Sequence, residues 1–190
     1  MFEKDYLREE YSKRKIALSQ KQKSEFEKDI HSQVFDLLND TINSNETVII
    51  HTYLSSEEKK EIDTFEIITF IEHHFKNSKI CVPKITHKNE MHSVLYSSNE
   101  PLIKTNFKLS EPLNNELVKP QDINIAIVPM LVGDRQGYRI GYGKGYYDKY
   151  LKLCKDSLLT IGLSYFTPVE KIEISQWDMP LKKIIYPRFS

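Results

Sequence analysis

Apolar positions follow two different periods along this chain. Over residues 2–18, Leu7, Tyr11 and Leu18 lie on one side of a heavily charged helix, with Arg14 and Lys15 beside them. Ser19 suits the N-cap of a second helix running to about residue 39, whose stripe is Phe26, Ile30, Val34, Phe35 and Leu38. Short apolar runs then predict strands: TVIIHTY at 47–53, KICVPK at 79–84, residues 91–96, INIAIVP at 123–129, LLTIGLSY at 158–165 and residues 183–186. Helical spacing returns at Ile62, Phe65, Ile68, Ile71 and Phe75, and again at Tyr147, Tyr150, Leu151 and Cys154. Thr167, with Pro168 at the first helical position and Val169 and Ile172 following, predicts one more short helix. Strands alternating with helices predict an α/β fold: an open, mainly parallel sheet with helices on both faces, a three-layer αβα arrangement of the Rossmann kind, as one domain over residues 1–190.

Between Pro129 and Tyr146 the periodicity vanishes. The connection is longer than most between a strand and a helix, and such loops are usually functional or disordered. Five of the chain's six glycines fall here: Gly133, Gly137, Gly141, Gly143 and Gly145. Glycine permits positive φ and close approach of a ligand to the backbone, and free N–H groups at a helix start can hold an anion. Arg135, Arg139 and Lys144 add positive charge, so the loop suits phosphate. It is neither a P-loop, since Gly145 follows Gly143-Lys144, nor a dinucleotide fingerprint, since Tyr146 stands where the third glycine belongs.

Composition narrows the setting. Lys+Arg and Asp+Glu are both 27, which argues against bulk electrostatic binding of nucleic acid but leaves room for a local anion site. No apolar run approaches membrane-spanning length, and the charged N-terminus lacks a signal core. Cys81 and Cys154 are too few for a disulfide framework. His73, His74, His87 and His92 follow no metal-ligand spacing. The expectation is a cytoplasmic protein with reduced thiols.

The run GYRIGYGKGYYDKYL resembles the signature of the 5-formyltetrahydrofolate cyclo-ligase family, P-x-x-x-F-D-x-x-G-x-R-L-G-x-G-x-G-Y-Y-D. Pro129, Asp134, Gly137, Arg139, Gly141, Gly143, Gly145, Tyr146, Tyr147 and Asp148 match; Ile140 replaces Leu, and Gly133 stands where the family has Phe. The resemblance implies ATP-dependent closure of 5-formyltetrahydrofolate to 5,10-methenyltetrahydrofolate, with release of ADP and phosphate, through a phosphorylated formyl (iminium phosphate) intermediate.

It also implies roles for individual residues. Lys4 and Arg8, in K-D-Y-L-R, resemble the family's ATP-binding basic pair; spacing alone allows a solvated face instead. Arg139, Ile140, Gly141, Tyr142, Gly143, Lys144, Gly145, Tyr146 and Tyr147 would line the ATP site, with Arg139 and Lys144 catalytic. Residues Tyr142 to Tyr147 would face the folate as well. YLSSEEKKEIDT resembles the family's pterin-binding segment, which implies Leu54 and Glu61 as folate contacts; as an acid opening a helix, Glu61 also has a purely structural reading. Phe107 occupies the place of an aromatic near the folate, Met91 and Tyr96 could edge the pocket, and ordinary packing would explain all three. Asp148 would hold Mg2+, or simply stabilise a helix start. Lys182 stands where some relatives carry a further magnesium-binding Asp, while Asp178 could cap a turn or hold magnesium through water. The partners expected are ATP and 5-formyltetrahydrofolate, with no nucleic acid and no membrane, in a monomer. The alternative is a non-catalytic nucleotide- or phosphate-binding module on the same fold, in which Glu61, Phe107 and Tyr147 would have no purpose.

Overall fold

A computed structural model describes residues 2–43, 45–86, 90–104 and 110–188; Phe107 and His87 lie outside these. In chain order the elements are α1 (Lys4–Ala17), α2 (Gln20–Thr41), β1 (Ile49–His51), α3 (Phe65–His74), β2 (Lys79–Ile85), β3 (Met91–Tyr96), β4 (Leu102–Lys104), β5 (Ser110–Pro112), β6 (Leu117–Val118), β7 (Ile125–Pro129), β8 (Val132–Gly133), β9 (Arg139–Ile140), α4 (Tyr146–Leu151), β10 (Leu159–Leu163) and β11 (Lys183–Ile185). The turn into α2 is closed as Ser19 predicts. Its hydroxyl accepts from the Gln22 N–H at 3.3 Å, while the Gln22 side chain accepts from the Ser19 N–H at 3.0 Å. That reciprocal pair satisfies two of the donors a helix start leaves open.

The main sheet has the order β11-β10-β7-β1-β2-β3-β6. It is parallel from β11 through β2 and antiparallel at β3 and β6. Alternation along the strands divides the core. Ile50, Ile80, Val82, Ile125, Ile127 and Ile161 share one cluster with the apolar stripes of α1, α2 and α3. Cys81, Ala126 and Val128 face the other way, into a cluster with Tyr150 and Leu151 of α4. Helices therefore cover both faces, as the sequence predicts. Among the described residues, no helix is long and apolar enough to cross a membrane.

The sequence did not predict strands β4, β5 and β6, and two further stretches also differ from the sequence-based expectation. The aperiodic loop contains a small hairpin, β8–β9, invisible to a periodicity test because each strand has two residues. Residues 167–172 form no helix. The Val169 N–H donates to the Gly133 carbonyl at 2.8 Å and the Ile172 N–H to the Asp134 carboxylate at 3.0 Å. Phe2 adds a bridge to Ile172, with its N–H on Lys171 and its carbonyl on the Glu173 N–H. These pairings take up the backbone groups a helix would need, and they moor the start of α1 beside the hairpin.

Gly133 also has a packing reason. A Cβ there would run into the Ile184 side chain and lie 2.8 Å from Met130 Cε, so those two side chains occupy the space a larger residue would claim.

Gly137 and Gly141 should respond in opposite ways to alanine. Gly137 has φ of +91°, and an added Cβ would collide with the Leu181 carbonyl, a backbone atom that cannot swing aside. Left-handed geometry alone costs about 1–2 kcal/mol, so Gly137→Ala should lose more than about 2 kcal/mol of stability in urea titrations. Gly141 has no heavy atom within 4 Å of a built Cβ. Gly141→Ala should stay within about 0.5 kcal/mol of the parent.

Candidate active site

The chain leaves β1 to cross to β2 on the face covered by α3, and leaves β7 to cross to β10 on the face covered by α4. β1 and β7 are neighbours, so their carboxyl ends flank the point where the strand order reverses. In open α/β sheets this is where a crevice forms. Residues 52–64 enter it from β1, and residues 130–146 enter it from β7. α1 closes it from above: the Arg8 guanidinium donates from Nε to the Gly141 carbonyl at 3.2 Å.

The Gly-bearing loop is held at its base. The Asp134 carboxylate, buried, accepts from the Gln136 and Tyr138 N–H groups at 2.9 and 3.0 Å as well as from Ile172. Arg139 follows in β9. Its side chain is 5% exposed, and it donates to Asp148 Oδ1 at 2.9 Å and to the Met179 carbonyl at 2.8 Å. Burial lowers its pKa while the Asp148 carboxylate opposes the shift, so the pairing offsets part of the cost of burying the guanidinium. The loop tip is open: Lys144 is exposed between Gly143 at φ of +84° and Gly145 at +68°. A Cβ on Gly143 would stand 3.3 Å from Arg8 Cζ, so the glycine lets the guanidinium lie against the loop.

The other wall carries the acid. Glu61 lies four residues before α3 begins, not in its first turn, which removes the helix-start explanation. Its carboxylate accepts the Ser56 N–H at 2.9 Å and interacts with the Tyr142 hydroxyl. That hydroxyl also accepts from Lys15 Nζ at 2.9 Å. Lys15 is only 7% exposed, and burial pushes its pKa down to about 8 although Glu61 pulls the other way. The Tyr142 ring lies under two ammonium groups, with Lys15 Nζ 4.9 Å and Lys59 Nζ 5.5 Å from its centroid. A recess of about 10 Å³ remains between Tyr53, Glu61, Met130 and Tyr142. It adjoins an open cleft of about 490 Å³, and Lys15, Lys60 and Tyr165 line both.

Beneath α4 runs a buried polar relay that sequence reasoning missed. His51, fully buried at the end of β1, meets the Ser93 hydroxyl through Nδ1 at 2.8 Å and the Tyr147 hydroxyl through Nε2 at 3.3 Å. Ser93 continues to the Tyr150 hydroxyl at 2.5 Å. Burial drives the His51 pKa down to about 3, so the ring is neutral. Burial, followed by the nearby Glu61 charge, raises the Tyr147 pKa, so its phenol keeps its proton. The available sequence signal was a histidine inside an otherwise apolar strand.

The remaining candidates fall as follows. Lys4 is ion-paired to Asp178; against the opposing effect of burial, Lys4 and the Ser175 N–H hold the Asp178 carboxyl below its ordinary value. Asp148 turns Oδ1 to Arg139 and also accepts the Met179 N–H at 3.2 Å. Lys182 donates to the Asp156 carbonyl at 2.8 Å, a tie within the fold. Ile140 is buried beneath the loop, and Leu54, Met91 and Tyr96 belong to the two core clusters. Tyr146 packs against the cluster under α4. Among the described residues, no group of three or more His, Cys, Asp or Glu could hold a metal ion.

Residues 1–187 match the model of the 5-formyltetrahydrofolate cyclo-ligase family. The chain is 30% identical over 151 residues to the 5-formyltetrahydrofolate cyclo-ligase of Mus musculus, covering 72% of each. It is 39% identical over 80 residues to that of Mycoplasma genitalium, covering 42% of this chain and about half, 48%, of that relative's length. The solved structure of the Aquifex aeolicus 5,10-methenyltetrahydrofolate synthetase superposes with a TM-score of 0.77 at 27% identity, covering 97% of this chain and 90% of that one. The Mycoplasma pneumoniae synthetase shares the fold, with a TM-score of 0.76 at 23% identity over 96% of this chain and 97% of that one.

The buried His51 should make stability fall on acidification. Its pKa of about 3 in the folded chain lies below the roughly 6.5 of a free imidazole, so between those values the unfolded chain takes up the proton and the folded one does not. Stability should therefore rise with pH across that window, with His51 adding up to about 1.4 kcal/mol per pH unit. Urea midpoints of wild type and His51→Gln between pH 4 and 6 check this: the variant should show the shallower slope, and coincident slopes would rule out a buried neutral ring.

Proposed function

This chain belongs to the 5-formyltetrahydrofolate cyclo-ligase family, and from that premise we propose that it uses ATP to close 5-formyltetrahydrofolate to 5,10-methenyltetrahydrofolate, releasing ADP and phosphate. The observation that carries the reading is a meeting at Tyr142. Its backbone belongs to the glycine run that Arg8 grips, and its hydroxyl lies between Lys15 and the Glu61 carboxylate. An anion-suited surface and a carboxylate suited to a pterin's amino and ring N–H groups thus share one residue.

The formyl oxygen is a poor leaving group until phosphorylated. In the proposed sequence it attacks the γ-phosphorus, and the bond to the β-phosphate oxygen breaks to release ADP. The iminium phosphate carbon is then attacked by N10. Its C–O bond breaks, phosphate departs, and the N10 proton goes to solvent. The protein's work is alignment and charge compensation. Lys4 and Arg8 would exchange Asp178 and Asp5 for phosphate oxygens. Arg139 and Lys144, with the Gly141, Gly143 and Gly145 amides, would face the group in transfer, and Tyr146 and Tyr147 would shape the floor. Glu61 would hold the pterin, and Leu54 would pack beside it.

Mg2+ is the usual companion of ATP, but these residues do not form a cage for it: Asp148 Oδ1 is engaged by Arg139 and Met179. Its ligands would come largely from phosphate and water, as magnesium commonly arranges. The role we assign to Asp148 is anchoring Arg139.

Purified protein given 5-formyltetrahydrofolate, ATP and Mg2+ should develop the methenyl-folate absorbance. Binding of ATP without that product would favour a nucleotide-binding module instead. Arg8→Ala should raise KM for ATP by about ten- to a hundredfold, the value of a charged hydrogen bond, with a smaller change for the folate. Lys144→Met should act mainly on kcat, lowering it about a hundred- to a thousandfold, because its contact would strengthen as charge develops. Normal kcat in that variant would return Lys144 to an ordinary solvated lysine.

A further inference from the structure

The polar contacts around Tyr142 describe a ligand edge. An ammonium can only donate hydrogen bonds, and an ionised carboxylate can only accept them. The Tyr142 hydroxyl answers both from one oxygen, accepting from Lys15 Nζ at 2.9 Å and facing Glu61 with its proton. A cyclic amide offers the same two functions on adjacent atoms, an N–H beside a C=O. We propose that Lys15 and Glu61 together form the recognition site for such an amide edge, with the Tyr142 hydroxyl as its internal stand-in. On the folate reading above, on which this assignment rests, Glu61 takes the pterin ring N–H and Lys15 takes the ring carbonyl next to it.

Burial and space support this. Lys15 is 7% exposed, and a buried ammonium deprived of its acceptor is costly, so whatever displaces Tyr142 must bring an acceptor with it. Displacement is required: the recess beside Glu61 holds about 10 Å³, far too little for a bicyclic ring, whereas the adjoining cleft of about 490 Å³ falls within the range of small-molecule sites. Tyr142 has room to move. It is 37% exposed, Gly141 on one side has open space around its Cβ position, and Gly143 on the other sits at φ of +84°. Lys15 lies two helical turns beyond Arg8, so α1 presents both cations to the same crevice.

The test is calorimetric binding without ATP, using 5-formyltetrahydrofolate and its 4-amino counterpart, in which an amino group replaces the ring carbonyl and the adjacent ring nitrogen loses its proton, so that the amide edge is gone. Lys15→Met should weaken binding of the carbonyl ligand about ten- to a hundredfold and leave the 4-amino ligand nearly unaffected. Tyr142→Phe keeps the ring but removes the competing hydroxyl, and should bind the carbonyl ligand severalfold more tightly than wild type. Equal losses for both ligands in Lys15→Met would make Lys15 structural and overturn the assignment. So would weaker binding in Tyr142→Phe, since the hydroxyl would then be a ligand contact. A wild type that binds neither ligand would sink the folate reading itself and this assignment with it; a wild type that binds while Lys15→Met keeps its preference would sink the assignment alone.

Discussion

One buried carboxylate sets much of the geometry. Asp134 accepts two N–H groups from its own hairpin and a third from Ile172, 38 residues later. A buried charge tolerates its surroundings only when donors surround it, so these three bonds belong together. Through Ile172 the constraint passes to Phe2, and from Phe2 to α1, which carries Lys4, Arg8 and Lys15. The loop and the helix that faces it are thereby positioned from a single point. None of these three cations needs a rigid rotamer to find the crevice, because the backbone has already been placed.

The site combines two electrostatic styles. On the loop side, charges are exposed, as at Lys144, buried against an anchoring partner, as at Arg139, or neutralised by a partner that a ligand could replace, as at Lys4. On the acid side, they are desolvated and linked through Tyr142. Beneath both, His51, Ser93, Tyr147 and Tyr150 form a neutral hydrogen-bonded floor. The floor supports α4 without adding a charge that would compete for the ligand.

Much of this was legible in the sequence. Ser19 announced its N-cap, the β-branched runs announced the parallel strands, and the glycine spacing marked the loop. What escaped has a common cause: it depends on partners distant in sequence. Residues 167–172 have local helix signals, yet Gly133, Asp134 and Phe2 claim their backbone groups. The sequence pattern sets Lys15 beside the apolar side of the first helix, but only tertiary packing shows that it is buried. The two-residue strands of the hairpin are too short to show a period. Glu61 went the other way: sequence left it divided between helix start and ligand contact, and the observed start of α3 at Phe65 leaves it free of the first role.

The mooring of α1 also ties site assembly to chain synthesis. Lys4 and Asp178 are separated by 174 positions, and Phe2 pairs with Ile172, so the crevice is closed by contacts between segments far apart in sequence. Contacts of such high sequence separation must meet the entropy of a very long loop before they contribute anything. A nascent chain can build β1, α3 and β2 from neighbouring residues while α1 still has no seat. The crevice thus cannot be completed on a ribosome-bound chain until Ile172 and Asp178 have emerged, and a product truncated before them would leave its first helix undocked.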